Sequence, residues 1–266
     1  MPILELDKGH SLFYTIDDHT DPWRKPETVV FINGFTENTE AWRCWVPHFS
    51  RDYRVLRYDQ RGFGRSGPVP AEFEFTTELL ARDLQHLIEA VSPNRPVHLV
   101  SGKSGGITAV MFAILRPDLV ASLSLVSPAI KGPETPGWLD HIDQYGMASW
   151  ARWTMGERLG SKMPSAGVDW WVEMMGQTAP RTAHAYLRWV ATVDLNPDLG
   201  RLSCPTVIIG NESKRRGLDL FRAYQARIAD AELAIIDVDG YHTGAVAPDQ
   251  SAAAARAFIT RHPIVS

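Results

Sequence analysis

The sequence predicts an α/β fold: a mostly parallel central sheet with helices on both faces and a small helical cap inserted before the last strands. Three observations carry this. Runs rich in β-branched apolar residues, such as Thr28-Val29-Val30-Phe31-Ile32, alternate with segments of helical period. A Gly-rich turn links the apolar run Val97-His98-Leu99-Val100 to a helical segment. From Pro128 the texture changes: residues 130–198 have few β-branched runs but hold six of the nine tryptophans, with breaks at Gly156, Gly160, Pro164, Gly176 and Pro180. Residues 1–129 and 199–266 are therefore assigned to the sheet domain and 130–198 to the cap.

Taken in order, Ile3–Leu6 and Ser11–Ile16 flank Lys8-Gly9-His10 and read as a hairpin. The strand from Thr28 ends at Gly34, a helix is expected from Glu37 to Phe49, and Tyr53–Asp59 is the next strand. Thr76 or Thr77 can cap a helix with Leu80, Leu84, Leu87, Ile88 and Val91 on its apolar face. After Val97–Val100 and the turn, a helix runs from Ile107 to Leu115, closed before Pro117, and Ser122–Ser127 is a buried strand. Beyond the cap the expectations are a strand at Pro205–Gly210, a helix at Leu218–Ala229, a strand at Ala231–Val238 and a terminal helix at Gln250–Thr260.

Apolar residues make up 44% and charged residues 22% of 266, enough for one large domain with a substantial core. A net charge of −4 gives no general field toward nucleic acid or anionic membrane. The short basic run Lys214-Arg215-Arg216 reads as a solvated loop. No apolar stretch reaches 18 residues and the first residues lack the order of a signal peptide, so the expectation is a cytoplasmic protein. Cys44 and Cys204 lack metal-ligand spacing and read as reduced, partly buried thiols.

The strongest chemical signal is Gly102-Lys103-Ser104-Gly105-Gly106 between a strand and a helix. A serine on a sharp turn projects its hydroxyl, and flanking glycines accept the turn's backbone angles. Ser104 is the expected nucleophile, and the N–H of Gly105, at the positive end of the helix, an expected oxyanion donor.

Other segments join it in order. Phe31-Ile32-Asn33-Gly34-Phe35, with Trp42 soon after, looks like an oxyanion loop, and Tyr58-Asp59-Gln60-Arg61-Gly62-Phe63-Gly64-Arg65-Ser66 matches D-x-R-G-x-G-x-S. Together these resemble the α/β-hydrolase superfamily over essentially the whole chain. The resemblance implies Phe35 N–H as second oxyanion donor, a structural loop at Asp59–Ser66, and His242 as the base, since a serine hydroxyl needs an imidazole to take its proton. Asn33 stands where many relatives have histidine; its amide can still hold the loop.

The acid departs from the pattern. Gly210-Asn211-Glu212-Ser213 offers Glu212, and Glu134, Asp219, Asp239 or no acid at all are the alternatives. Lys103 points to solvent or a carboxylate, or sets a cation at the pocket mouth for an anionic or carbonyl-rich substrate. Gly34, Trp150, Trp153, Trp170 and Trp189 are the candidate substrate contacts, and an aromatic lid favours an apolar or ring-containing substrate. The expected function is hydrolysis of an ester, lactone, amide or similar acyl bond through an acyl-enzyme on Ser104. The alternatives are a lyase, C–C hydrolase or cofactor-independent dioxygenase with His242 as base, or a hydrolase-like receptor. Neither cofactor nor metal is implied. The partner is a small molecule rather than nucleic acid or membrane, and self-association is left open.

Overall fold

The computed structural model describes residues 2–6 and 9–264; Lys8 of the expected turn lies outside them. Eight strands form one sheet: β1 (Ile3–Glu5), β2 (Ser11–Asp17), β3 (Thr28–Ile32), β4 (Arg54–Tyr58), β5 (Val97–Gly102), β6 (Val120–Val126), β7 (Thr206–Gly210) and β8 (Ala231–Ile235). Their spatial order is β1-β2-β4-β3-β5-β6-β7-β8. The first two form the expected antiparallel hairpin, β2 pairs antiparallel with β4, and every later pairing is parallel.

The strand order reverses direction at β3, which lies between β4 and β5. Loops leaving the carboxyl ends of β3 and β5 are therefore neighbours, and such switch points are where α/β sheets open a crevice for ligands.

Each face of the sheet buries its own layer, because side chains alternate along a strand. In β3, Val29 and Phe31 face a cluster with Trp45, Phe49, Phe258 and Ile259, supplied by α1 (Val46–Phe49) and α9 (Pro248–Thr260). Val30 and Ile32 face the opposite cluster, with α2 (Thr77–Val91) and α3 (Gly105–Leu115). Burying a side chain such as Ile32 or Leu84 contributes about 1.5–3 kcal/mol. The N-cap of α2 is Thr76, whose Oγ1 accepts a hydrogen bond from Leu79 N at 3.0 Å, and its predicted apolar face is buried.

Several elements are shorter than expected, among them α7 (Leu218–Gln225), which ends four residues early. The segment 37–49 is a 3-10 turn at Thr39–Trp42 followed by α1, with Pro47 inside the first turn of that helix. The last strand stops at Ile235 because the Asn211 amide donates to the carbonyls of Val238 (2.7 Å) and Gly240 (3.0 Å), drawing the chain away from the sheet. The helix α7 (Leu218–Gln225) and the single turn α8 (Thr243–Val246) complete the sheet region.

Three helices stand between β6 and β7: α4 (Trp138–Leu159), kinked at Gly146 (φ 80°), α5 (Ser165–Gly176) and α6 (Pro180–Val190). They lie over the carboxyl ends of the strands. Tyr186 of α6 stacks on Phe35 with ring centres 5.0 Å apart, and Trp171 of α5 sets its edge 5.1 Å from the His242 ring.

Candidate active site

The elbow follows from the register of β5. That strand continues to Gly102, opposite Val126, so the chain turns at the next residue. Lys103 takes the left-handed conformation (φ 50°), whereas Ser104 is already helical (φ −71°, ψ −12°) as the N-cap of α3. A non-glycine residue held there costs on the order of 1–3 kcal/mol and persists only where its surroundings fix it. Lys103 N donates to Val126 O (3.0 Å), and its carbonyl accepts from Gly106 N (3.1 Å) and Ala129 N (3.0 Å). Gly105 passes so close to the Ile32 and Asn33 carbonyls that a Cβ would collide with main chain.

The residue on the strained turn is thus Lys103, which corrects the expectation for Ser104. Gly102–Gly106 can be read in two frames, and strand length selects the earlier one. Ser104 Oγ accepts the Phe35 N–H at 2.9 Å and lines the same cavity as Tyr186. Among the described residues no hydrogen bond joins it to His242. In this frame the residue after the elbow is Ser104 rather than Gly105, so the flanking amide shifts by one position, while Phe35 N–H still faces the site.

The group beside Lys103 is Glu37, a residue the sequence reading did not single out. Its buried carboxylate accepts from Gly34 N through Oε2 (2.9 Å) and from His242 Nε2 through Oε1 (2.8 Å), and Oε1 also pairs with Lys103 Nζ. Burial alone would raise the Glu37 pKa, but the Lys103 ammonium and His242 hold it well below the usual carboxylate range. Burial pushes Lys103 down to about 8 against the pull of Glu37, with Arg158 and Arg216 acting in the same direction as burial. Burial, followed by the charge of Lys103, lowers His242 to about 4. The ring is therefore neutral at pH 7, with its proton on Nε2 toward Glu37, and Nδ1 is buried without a partner.

Glu212 does not reach His242. It is exposed and accepts a hydrogen bond from Leu218 N at 2.8 Å, at the start of α7. Asp239 holds Ser161, Asp219 pairs with Arg222, and the Glu134 carbonyl accepts from Arg215. The residue after His242 belongs to a neutral network: Ser127 Oγ donates to Thr243 Oγ1 (2.7 Å), which donates to Asn211 Oδ1 (2.8 Å). Asn33 holds its loop as expected, donating to Tyr58 O at 2.7 Å. Asp59 accepts from Thr39 N and Arg65 N, a structural role.

Above the elbow lies a small cavity of about 40 Å³ whose lining includes Phe35, Lys103, Ser104, Trp138, Tyr186 and Tyr241, together with Arg158, Arg215 and Arg216. The expected tryptophans are elsewhere. Trp150 is fully buried between Phe35 and Trp138, Trp153 is exposed and stacked on His141, Trp170 faces a separate groove, and Trp189 packs on Phe75 and Tyr186. Gly34 is not part of the lining; a Cβ there would crowd Lys103 and Glu37. The basic run is not a solvated loop, since Arg215 and Arg216 turn inward with their guanidinium groups 5.4 and 5.2 Å from the Tyr241 ring centre. Both cysteines are free, Cys44 exposed and Cys204 buried.

The parallel sheet, the elbow at the switch point and the late histidine define a class, and the chain belongs to it: the alpha/beta hydrolase fold family matches residues 27–180. A karrikin insensitive 2 receptor of Petunia hybrida is 30% identical over 69% of this chain and 71% of its own. A 2-hydroxy-6-oxononadienedioate/2-hydroxy-6-oxononatrienedioate hydrolase of Paraburkholderia xenovorans is 33% identical over 43% of this chain and 40% of its own. Among solved structures, an enol-lactonase from Burkholderia xenovorans LB400 superposes with a TM-score of 0.87 at 20% identity, covering 97% of this chain and all of that one, a likeness of fold. Among the described residues no helix is long and apolar enough to cross a membrane.

Proposed function

We propose that this chain is an enzyme acting beside a carbonyl group of a small molecule, and that Lys103 is the group its elbow delivers to that carbonyl. The observation that carries this is the left-handed turn at Lys103, with Glu37 and His242 gathered on its amine. Burial and neighbouring cations are the two ways in which a lysine becomes a nucleophile near neutral pH. Both act here, and about a tenth of the amine is neutral at pH 7 when its pKa lies near 8.

The neutral amine adds its lone pair to the carbonyl carbon, and the proton that the nitrogen gives up passes to the oxygen, beside the Ser104 hydroxyl. A second proton lets that oxygen leave as water, giving an iminium. The iminium draws electrons from the carbon–carbon bond one atom away, which breaks to leave an enamine, while the departing carbon becomes a carbonyl as its hydroxyl gives up a proton to the site. Protonation of the enamine and addition of water release the product and restore Lys103. Glu37 and His242 hold and pass protons at Nζ. The reaction is of the lyase or C–C hydrolase class, with Lys103 in the part that the sequence assigned to His242.

Acyl transfer to Ser104 is the second reading, favoured by the position of that hydroxyl in the cavity lining. It lacks a base, because the His242 Nε2 proton is given to Glu37. The likeness to a karrikin receptor supports a third reading, ligand binding without turnover.

The test is trapping with sodium borohydride in the presence of small aldehydes, ketones and 2-oxo acids, read by peptide mass spectrometry. A reduced adduct on Lys103, absent in Lys103→Met, is expected. Labelling of Ser104 by a fluorophosphonate, with no adduct on Lys103, would overturn the proposal.

A further inference from the structure

The cavity has more positive charge than its own carboxylates balance. Lys103, Arg158, Arg215 and Arg216 all border it. Lys103 is paired with Glu37, and Arg215 approaches Glu157 at 3.5 Å. Among the described residues neither Arg158 nor Arg216 has a carboxylate partner.

Arg158 is the sharper case. It is only 3% exposed, its Nε donates to Thr154 Oγ1 at 3.0 Å, and its Nη2 has no hydrogen-bond partner. Its guanidinium lies 5.5, 5.2 and 5.6 Å from the ring centres of Trp138, Trp150 and Tyr241, whose faces attract a cation but cannot accept its N–H groups as a carboxylate does. Arg216 keeps partial exposure at its stem, while its head donates to the Ser127 carbonyl and lies over Tyr241. A buried guanidinium without a counter-charge is costly, and proteins retain one where a ligand supplies the charge.

We infer that this cavity binds a small molecule bearing a carboxylate, held by Arg158 and Arg216, with its reacting carbonyl toward Lys103. The last clause rests on the function proposed above; the carboxylate subsite itself rests on the arginines. A guanidinium fork accepts carboxylate and phosphate alike; the carboxylate, the smaller of the two, is the one that suits so small a cavity. This also shifts the substrate class away from the largely apolar molecule that the cap tryptophans suggested.

The probes are pyruvate, benzoate, phenylacetate and benzoylformate, each beside its uncharged methyl ester, and inorganic phosphate. Binding is read by calorimetry and by quenching of tryptophan fluorescence. At least one acid is expected to bind roughly tenfold or more tightly than its ester, since one well-made ionic hydrogen-bonded contact is worth at least that factor. Arg158→Gln and Arg216→Gln are each expected to remove that preference while leaving the ester's binding unchanged. Equal binding of every acid and its ester, retention of the preference in both variants, or tighter binding of phosphate than of any acid would overturn the inference. Lys103→Met separates the two proposals. If it retains acid binding and the wild type gives no borohydride adduct, the subsite stands and the amine chemistry falls.

Discussion

The Phe35 amide donates to the Ser104 hydroxyl at 2.9 Å, so the donor expected to hold an oxyanion is occupied by the serine expected to create one. A nucleophile and the hole for its product's oxygen cannot share one place. The elbow residue is Lys103, which lines the same cavity with its amine beside Glu37.

This separates two variants that the motif alone would treat alike. Lys103→Met is expected to lower turnover by roughly 10³-fold, the scale on which positioned nucleophiles and proton carriers act. Ser104→Ala is expected to cost less than about tenfold, the loss of one hydrogen bond near the site. Steady-state rates on any carbonyl substrate that turns over check the order, and a reversed order would restore the serine.

The rate should rise with pH through about 8, because only the unprotonated Lys103 amine attacks and its pKa is depressed to that value. Arg158→Gln removes a cation that helps depress it. The midpoint of the profile is expected to move upward in this variant. A profile that is flat from pH 6 to 9 would speak against amine chemistry.

Acid stability should carry the signature of His242. Its pKa falls from 6.5 to about 4 on folding, so between those values the unfolded chain binds the extra proton. Stability is then intact above about 6.5 and is lost as pH falls toward 4, at up to about 1.4 kcal/mol per pH unit for one group. Glu37, whose pKa is lowered on folding, adds a loss below its unfolded value of 4.5 as its carboxylate is protonated. In His242→Gln, whose amide can still donate to Glu37, denaturant titrations should lose the first part of this fall and keep the second.

Glu37→Gln leaves Lys103 buried with no counter-charge and is expected to destabilise the fold by about 3 kcal/mol. Adding Lys103→Met should recover much of that loss. The two residues are in direct contact, so a double-mutant cycle read by urea unfolding should show a coupling well above 0.5 kcal/mol.

Gly105→Ala places a methyl group against the Asn33 and Ile32 carbonyls, main-chain atoms that cannot step aside. A loss of about 1–3 kcal/mol is expected, measured by the shift in urea midpoint.

The alternation of apolar strands and amphipathic helices made the sheet legible, because local periodicity reports which faces are buried. The placement of the Asn33–Phe35 loop and of His242 was legible for a related reason: the loop follows directly on β3, and the histidine lies between the last strand and the terminal helix. The frame of the elbow was not, since glycines at 102, 105 and 106 suit either serine or lysine on the turn and only pairing of Gly102 with Val126 decides. Glu37 lay hidden as the first residue of an apparent helix, and its partner on the imidazole is 205 residues away. One signal was present in the sequence: an unusual acid in one loop and an unusual base in its neighbour. Arg158 and Arg216 gave no local sign, because an arginine in an amphipathic helix or a basic run usually faces water.

In a serine hydrolase the carboxylate and the nucleophile take opposite nitrogens of the imidazole; here Glu37 takes Nε2, and Nδ1 is buried without a partner. Lys103→Ser alone would give a hydroxyl facing a histidine whose working nitrogen is already engaged, and should hydrolyse nothing. Conversion requires the charge to change sides at the same time as the nucleophile changes identity.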